Sequence, residues 1–216
     1  MQEIIKKRNE LLAQKMILSF KKRHFNAFYC ATKEQVVQKI CELISKDETI
    51  AWGGSVTVDE LGLKKYLSEN GYKLINRDAA KTKEEKRDLV LKGLGADVFL
   101  MSSNAITEDG ELVNIDGHGT RIVALCYGPK KVIVIAGMNK VVKTLDDAIS
   151  RARNFAAPVN AKRCSNFFDI NTPCLTAGTC MDCKSETSIC SQILTTRLSY
   201  PKGRINVILV NEDLGF

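Results

Sequence analysis

Short β-rich runs alternate with capped amphipathic helices from Asn26 to Met101, and that alternation constrains the fold more than any other feature. Asn26–Cys30, Thr49–Trp52, Tyr72–Ile75 and Val98–Met101 are the strand candidates. Between them, Thr32 with Gln35, Thr57 with Glu60 and Thr82 with Glu85 have capping-box spacing, so each pair opens a helix. Val36, Val37, Ile40, Leu43 and Ile44 form a buried stripe on the first helix, and the second ends near Gly71. This pattern predicts an α/β fold, a layered and mostly parallel sheet with helices on both faces. Val132–Ala136 and Arg204–Val210 add further strands. Thr120–Tyr127 reads as a helix ended by Gly128-Pro129, and Thr144 with Asp147 opens another helix, which Pro158 ends.

Residues 1–25 carry Ile4, Ile5, Leu11, Leu12, Ile17 and Phe20 among lysines and glutamates. They form an amphipathic N-terminal helical extension that docks either on the α/β domain of residues 26–216 or on a second copy of the chain.

The 44% hydrophobic content of 216 residues suits one globular core. No apolar run approaches the roughly 20 residues that span a bilayer. MQEIIKKRNELL lacks the apolar core of a secretion signal, so a cytoplasmic location is expected. The formal charge of +7 is spread over lysines that sit beside glutamates, as in KTKEEKRD. Without an arginine-rich run or many aromatics, nucleic acid is not an expected partner. A small anionic ligand or an acidic partner accounts for the excess equally well.

The stretch Ser102–Lys140 interrupts the alternation with turn-forming and polar residues between two strands. Asn104, Thr107, Asp109-Gly110, Asn114, Asp116-Gly117, Gly119 and Arg121 crowd around a hairpin at Glu111–Ile115. In a parallel sheet the turns at Gly53-Gly54-Ser55, Asn104–Thr107 and Gly137–Lys140 all fall at strand carboxyl ends, where open sheets place ligands. These turns are therefore expected to converge on one anion pocket, with Thr57 at a helix opening and Asn104 and Asn139 as neutral partners. Arg121, Lys140 and Arg151 are candidates for a carboxylate or phosphate clamp. His118, Asp116 and Glu60 are the candidate proton-transfer groups. Each also has a plain structural reading: a surface histidine, a turn aspartate and a helix-capping glutamate.

Eight cysteines are present, and five of them lie between Cys164 and Cys190. Cys174, Cys180, Cys183 and Cys190 have the spacing C-x5-C-x2-C-x6-C on a segment with few periodic signals. Thiolates are soft ligands, so the four suit an iron-sulfur cluster or, alternatively, zinc; a cluster of buried thiols without metal remains the structural reading. No P-loop, dinucleotide G-x-G-x-x-G or Ser-His-Asp order is present, so no nucleotide cofactor is indicated.

GGSVTVDELGL, SSNAITEDGELVNIDGHGTR, YGPKKVIVIAGMNKVV and Pro158-Val159-Asn160 with Arg163 together resemble the LUD-domain (lactate-utilisation) family, from about Ala51 onward. The cysteine-rich C-terminal segment is similar to one branch of it. The resemblance implies a fold like the NagB/RpiA/CoA-transferase group. It also implies an association with lactate or related hydroxy-acid and keto-acid redox metabolism, and with redox partner proteins. Where the family's turn commonly reads Thr-Gly-Asn-Arg, this chain has His118-Gly119-Thr120-Arg121. Two other functions stay open: a non-catalytic binding or assembly subunit with structural zinc, and a transferase or ligase acting on a phosphorylated or CoA-linked substrate.

Overall fold

A computed structural model describes residues Met1–Phe216. Helix α1 (Gln2–Lys22) precedes β1 (Asn26–Cys30), α2 (Lys33–Leu43), β2 (Thr49–Trp52), α3 (Val56–Glu60), α4 (Leu63–Glu69) and β3 (Lys73–Leu74). Then come α5 (Lys83–Leu94), β4 (Val98–Met101), β5 (Ala105–Thr107), β6 (Leu112–Asp116), α6 (Thr120–Cys126), β7 (Lys131–Gly137) and β8 (Val141–Val142). The chain finishes with α7 (Leu145–Arg151), α8 (Ala157–Cys164), α9 (Cys174–Ala177), β9 (Gln192–Thr196) and β10 (Ile205–Val210).

Six strands form one parallel sheet in the order β1-β10-β7-β4-β2-β3. Side chains alternate across it as the two-residue period of a strand requires. Val132, Val134 and Ala136 of β7 join Val207 and Leu209 of β10 on the face covered by α1 and α6. Ile133, Ile135, Ile208 and Val210 point to the other face, under α2, α3 and α4. Burial on both sides explains why these strands read as continuous apolar runs rather than alternating ones. The α/β class expected from the sequence is the class observed.

The central stretch folds into a second sheet, β8-β5-β6-β9, packed through Ala105, Val113 and Ile115 on Ala148 of α7 and on Ala152 just after it. Its β5–β6 hairpin is the excursion expected around Glu111–Ile115. Strand β9 was not expected. Only Ile193 and Leu194 are strongly apolar in QILTT, and backbone pairing with β6 sets its conformation.

Three local expectations are corrected, and the open alternative for α1 is decided. Thr32 makes no side-chain cap bond at the start of α2, where Gln35 Oε1 instead accepts from Ala31 N–H. The helix expected to open at Thr57 is instead capped by Ser55, whose Oγ accepts from Val58 N–H, and it breaks at Gly62 before α4 begins. Thr57 turns inward and is 1% exposed. Pro158 does not end the α7 helix: a π-helical turn at Ala152–Ala156 shifts the hydrogen-bond ladder, and the chain continues as α8 with proline in its first turn. The widened turn meets the loss of the proline N–H and the crowding its ring would cause. Finally, α1 is docked on the domain. Ala13, Met16 and Phe20 enter the main core; Ile4 and Ile5 precede that contact and remain exposed, and Leu11 and Leu18 remain exposed because they lie off the buried stripe of the helix.

Candidate functional site

The chain moves from β2 outward to β3 and then back across to β4, so the strand order reverses between β2 and β4. That crevice, at the strands' carboxyl ends, is where open α/β sheets bind ligands. The turn after β2 is tied to β4 there, since Gly53 N–H donates to Leu100 O. Gly53 is required by close approach: a Cβ on it would lie 2.5 Å from Cγ of Arg121.

Lys140 stands at the centre. It follows β7, is 3% exposed, and donates to Thr57 Oγ1 and Ser102 Oγ, each at 3.0 Å. Thr57 and Ser102 are themselves 3.3 Å apart. No carboxylate pairs with the amine. Burial lowers its pKa to about 7, and Arg151 and Arg121 push in the same direction against a small opposing effect of Glu60. An amine near neutrality in such a place is poised to take a proton when an anion arrives.

Arg121 and Arg151 differ in their bonding. Arg121 is locked to the protein. It pairs with Asp116 at 2.6 Å and donates to Asn104 Oδ1 and to the carbonyl oxygens of Ser102 and Ile115. Asp116 Oδ2 also accepts from the N–H groups of Arg121 and Ile122, which caps α6 behind the left-handed Gly119. Arg151 donates to Asn104 O and stacks on Phe155 with 5.1 Å to the ring centre. No carboxylate meets its guanidinium, and burial lowers its pKa. Two guanidiniums and a partly protonated amine thus face one committed carboxylate, which leaves the centre positive.

The other expected site residues divide clearly. Asn139 lies beside the centre, where it holds Leu214 N–H through Oδ1 and Gly215 O through Nδ2. Gly137 allows that crossing, since a Cβ there would meet Asn139 Oδ1 and Glu212 O at 2.4 Å. Glu60 is exposed at the rim and accepts from Gly215 N–H at 2.8 Å. Ser55 serves as a cap, and Gly54 is exposed beside it. Thr107 Oγ1 accepts from Glu111 N–H within the hairpin turn, away from Lys140. Gly117 packs against Ile189, and His118 is exposed.

Sequence reasoning missed Ser102 beside Lys140 and its neighbour Ser103, and read Asn114 only as one of the polar residues of the central stretch. Asn114 is fully buried; it donates to Ser102 O and accepts from Ser103 Oγ. It also missed the segment Leu214–Gly215, which lies on the centre. Leu214 O accepts from Thr57 Oγ1, and a Cβ on Gly215 would sit 3.3 Å from Lys140 Nζ. Two serines directly after a strand end were the available signal for the first group. Nothing local marks the polar tail NEDLGF as a cover.

A second centre lies on the other side of β6. Cys174, Cys180, Cys183 and Cys190 line one cavity of about 470 Å³, together with Ile115 and Arg153. All eight cysteines are free thiols. No three metal-ligating side chains stand close enough together to hold a single ion. The four sulfurs, soft donors by type, share the lining of this one space.

The LUD-domain model matches residues 13–210, nearly the whole chain. The chain belongs to the LUD-domain family. No curated protein is similar enough in sequence to count as a relative of this LUD domain. Among solved structures it is similar to a DUF162 family protein from Deinococcus radiodurans, with 10% identity, a TM-score of 0.49, and coverage of 96% of this chain and 98% of that one. A weaker likeness links it to eIF2B delta from Chaetomium thermophilum, with 17% identity, a TM-score of 0.35, and coverage of 56% and 54%. Both likenesses are loose, and membership rests on the family model. No helix of this LUD domain is long and apolar enough to cross a membrane.

Proposed function

We propose that this LUD-domain protein binds a small carboxylate-bearing metabolite, a hydroxy or keto acid of the lactate class, at the Lys140–Arg151 centre and serves redox metabolism. One observation carries the proposal: a buried lysine bonded only to hydroxyls, beside a guanidinium that no carboxylate meets. A ligand carboxylate there would restore the charged form of Lys140 and offset the surplus positive charge. The hydroxyls of Thr57 and Ser102 donate or accept, as the ligand's hydroxyl or keto oxygen requires. Entry displaces Leu214–Gly215, held by Asn139, Thr57 and Glu60.

The cysteine cavity supports the redox part of the proposal. A single zinc needs its sulfurs about 2.3 Å from one point. Four thiols spread around a cavity of about 470 Å³ suit an iron-sulfur cluster better. When bound, such a cluster supplies electron transfer, and redox partner proteins follow from that chemistry. A reducing compartment such as the cytoplasm suits eight free thiols.

The test is a titration of lactate and of pyruvate into the parent protein, Lys140→Met and Arg151→Gln. The parent is expected to bind at least one of them, and each variant to bind it about tenfold or more weakly, which corresponds to about 1.4 kcal/mol. Equal affinity in all three proteins, or no binding by the parent, contradicts the proposal.

A further inference from the structure

Three of the four cavity thiols are each hydrogen-bonded to a side chain from outside the cysteine set. Thr172 Oγ1 lies 3.2 Å from Cys174 Sγ, and Ser188 Oγ lies 3.2 Å from Cys190 Sγ. Arg153 Nη2 reaches Cys180 Sγ at 3.8 Å while pairing with Asp182 at 2.6 Å. Cys183 receives no such bond.

Both hydroxyls stand two residues before their cysteine, so the same local arrangement occurs at each end of the segment. Thr172 is 5% exposed, and the sulfur is the only hydrogen-bond partner of its hydroxyl. A buried hydroxyl is costly unless it is bonded, and serine or threonine more often turns toward a backbone group. The Ser188 hydroxyl also accepts from Cys190 N–H, which leaves its own hydrogen free to point at the sulfur. A metal-bound thiolate is an acceptor only, so beside it both hydroxyls and the guanidinium must donate.

We propose that Thr172, Ser188 and Arg153 are positioning residues for a four-thiolate cluster in this cavity, aiming Cys174, Cys190 and Cys180 into it and raising its reduction potential. The proposal rests on the cluster reading given above. Reduction adds negative charge to the sulfurs, so donors aimed at them favour the reduced state. The outer hydrogen bonds also fix ligand orientation, and Cys183 is left as the one unassisted ligand.

The experiment is anaerobic reconstitution of the full chain with ferrous iron and sulfide, followed by iron and sulfide analysis and a potentiometric titration read by absorbance. It is run on the parent, Thr172→Val, Ser188→Ala, the double variant, and Thr172→Ser. The expected result is a lower midpoint potential in each single variant, a larger drop in the double variant, and recovery in Thr172→Ser. Should Thr172→Val lose the cluster outright, retention in Thr172→Ser supports positioning by the hydroxyl; loss in both assigns the effect to packing and overturns the proposal. Fully loaded variants with the parent's potential overturn it as well. A parent that takes up one zinc, or no iron and sulfide, overturns the cluster reading itself and this inference with it.

Discussion

Lys140 makes a sharp statement about pH. Its folded pKa of about 7 lies below the ordinary 10.5, so between those values the unfolded chain holds more protons than the folded one. Stability must therefore rise with pH through that window, by at most about 1.4 kcal/mol per unit from this group. Lys140→Met removes the contribution while leaving other titrations in place. Urea unfolding of both chains at neutral and alkaline pH should show the parent gaining on the variant as pH rises; a constant difference would refute the buried, neutral amine. The residues of this centre were partly legible in the sequence. Asn104, Asp116, Arg121, Asn139 and Lys140 stood out because they follow strands or lie in glycine-rich turns. Which arginine is committed to the protein was not legible, because the Asp116 pairing arises only when α6 folds back on β6.

Among the elements, those with strong internal signals were readable, and those shaped by distant partners were not. The strands β1, β2, β4, β7 and β10 carry their own apolar runs. Capping also worked where the side chain lies free: Thr82 and Thr144 both accept from the N–H three residues on. Strand β9 borrows its conformation from β6, and the π-helical turn before Pro158 depends on helix packing, so neither had a local signature. Helix α1 shows the limit of apolar periodicity, since its most apolar residues are not all its buried ones. Phe20→Ala should cost about 3–5 kcal/mol, because it empties a fully buried site that packs on Phe25 at 5.4 Å. Leu11→Ala, at a side chain 68% exposed, should change stability by about 0.5 kcal/mol or less. Chemical denaturation of both variants checks the contrast, and comparable losses would mean that α1 docks through a different face.

At the scale of the whole molecule, one strand and one helix join the two centres. Asn114 and Asp116 of β6 belong to the Lys140 side, while Ile115 between them lines the cysteine cavity. Arg151 at the end of α7 reaches Asn104, and Arg153 in the following turn reaches Cys180. The fold places the Lys140 centre and a thiol-lined cavity on opposite sides of one small sheet. The anion centre is the central claim, and its protonation gives the most direct test. Calorimetric titration of lactate and pyruvate near neutral pH, repeated in buffers of different ionisation enthalpy, measures the protons taken up on binding. Because an anion restores the charged form of Lys140, binding should take up part of a proton in the parent protein, and affinity should fall as pH rises above about 7. Lys140→Met should bind more weakly and take up none. Binding by the parent with no proton uptake, or with the same uptake in both chains, would contradict the account.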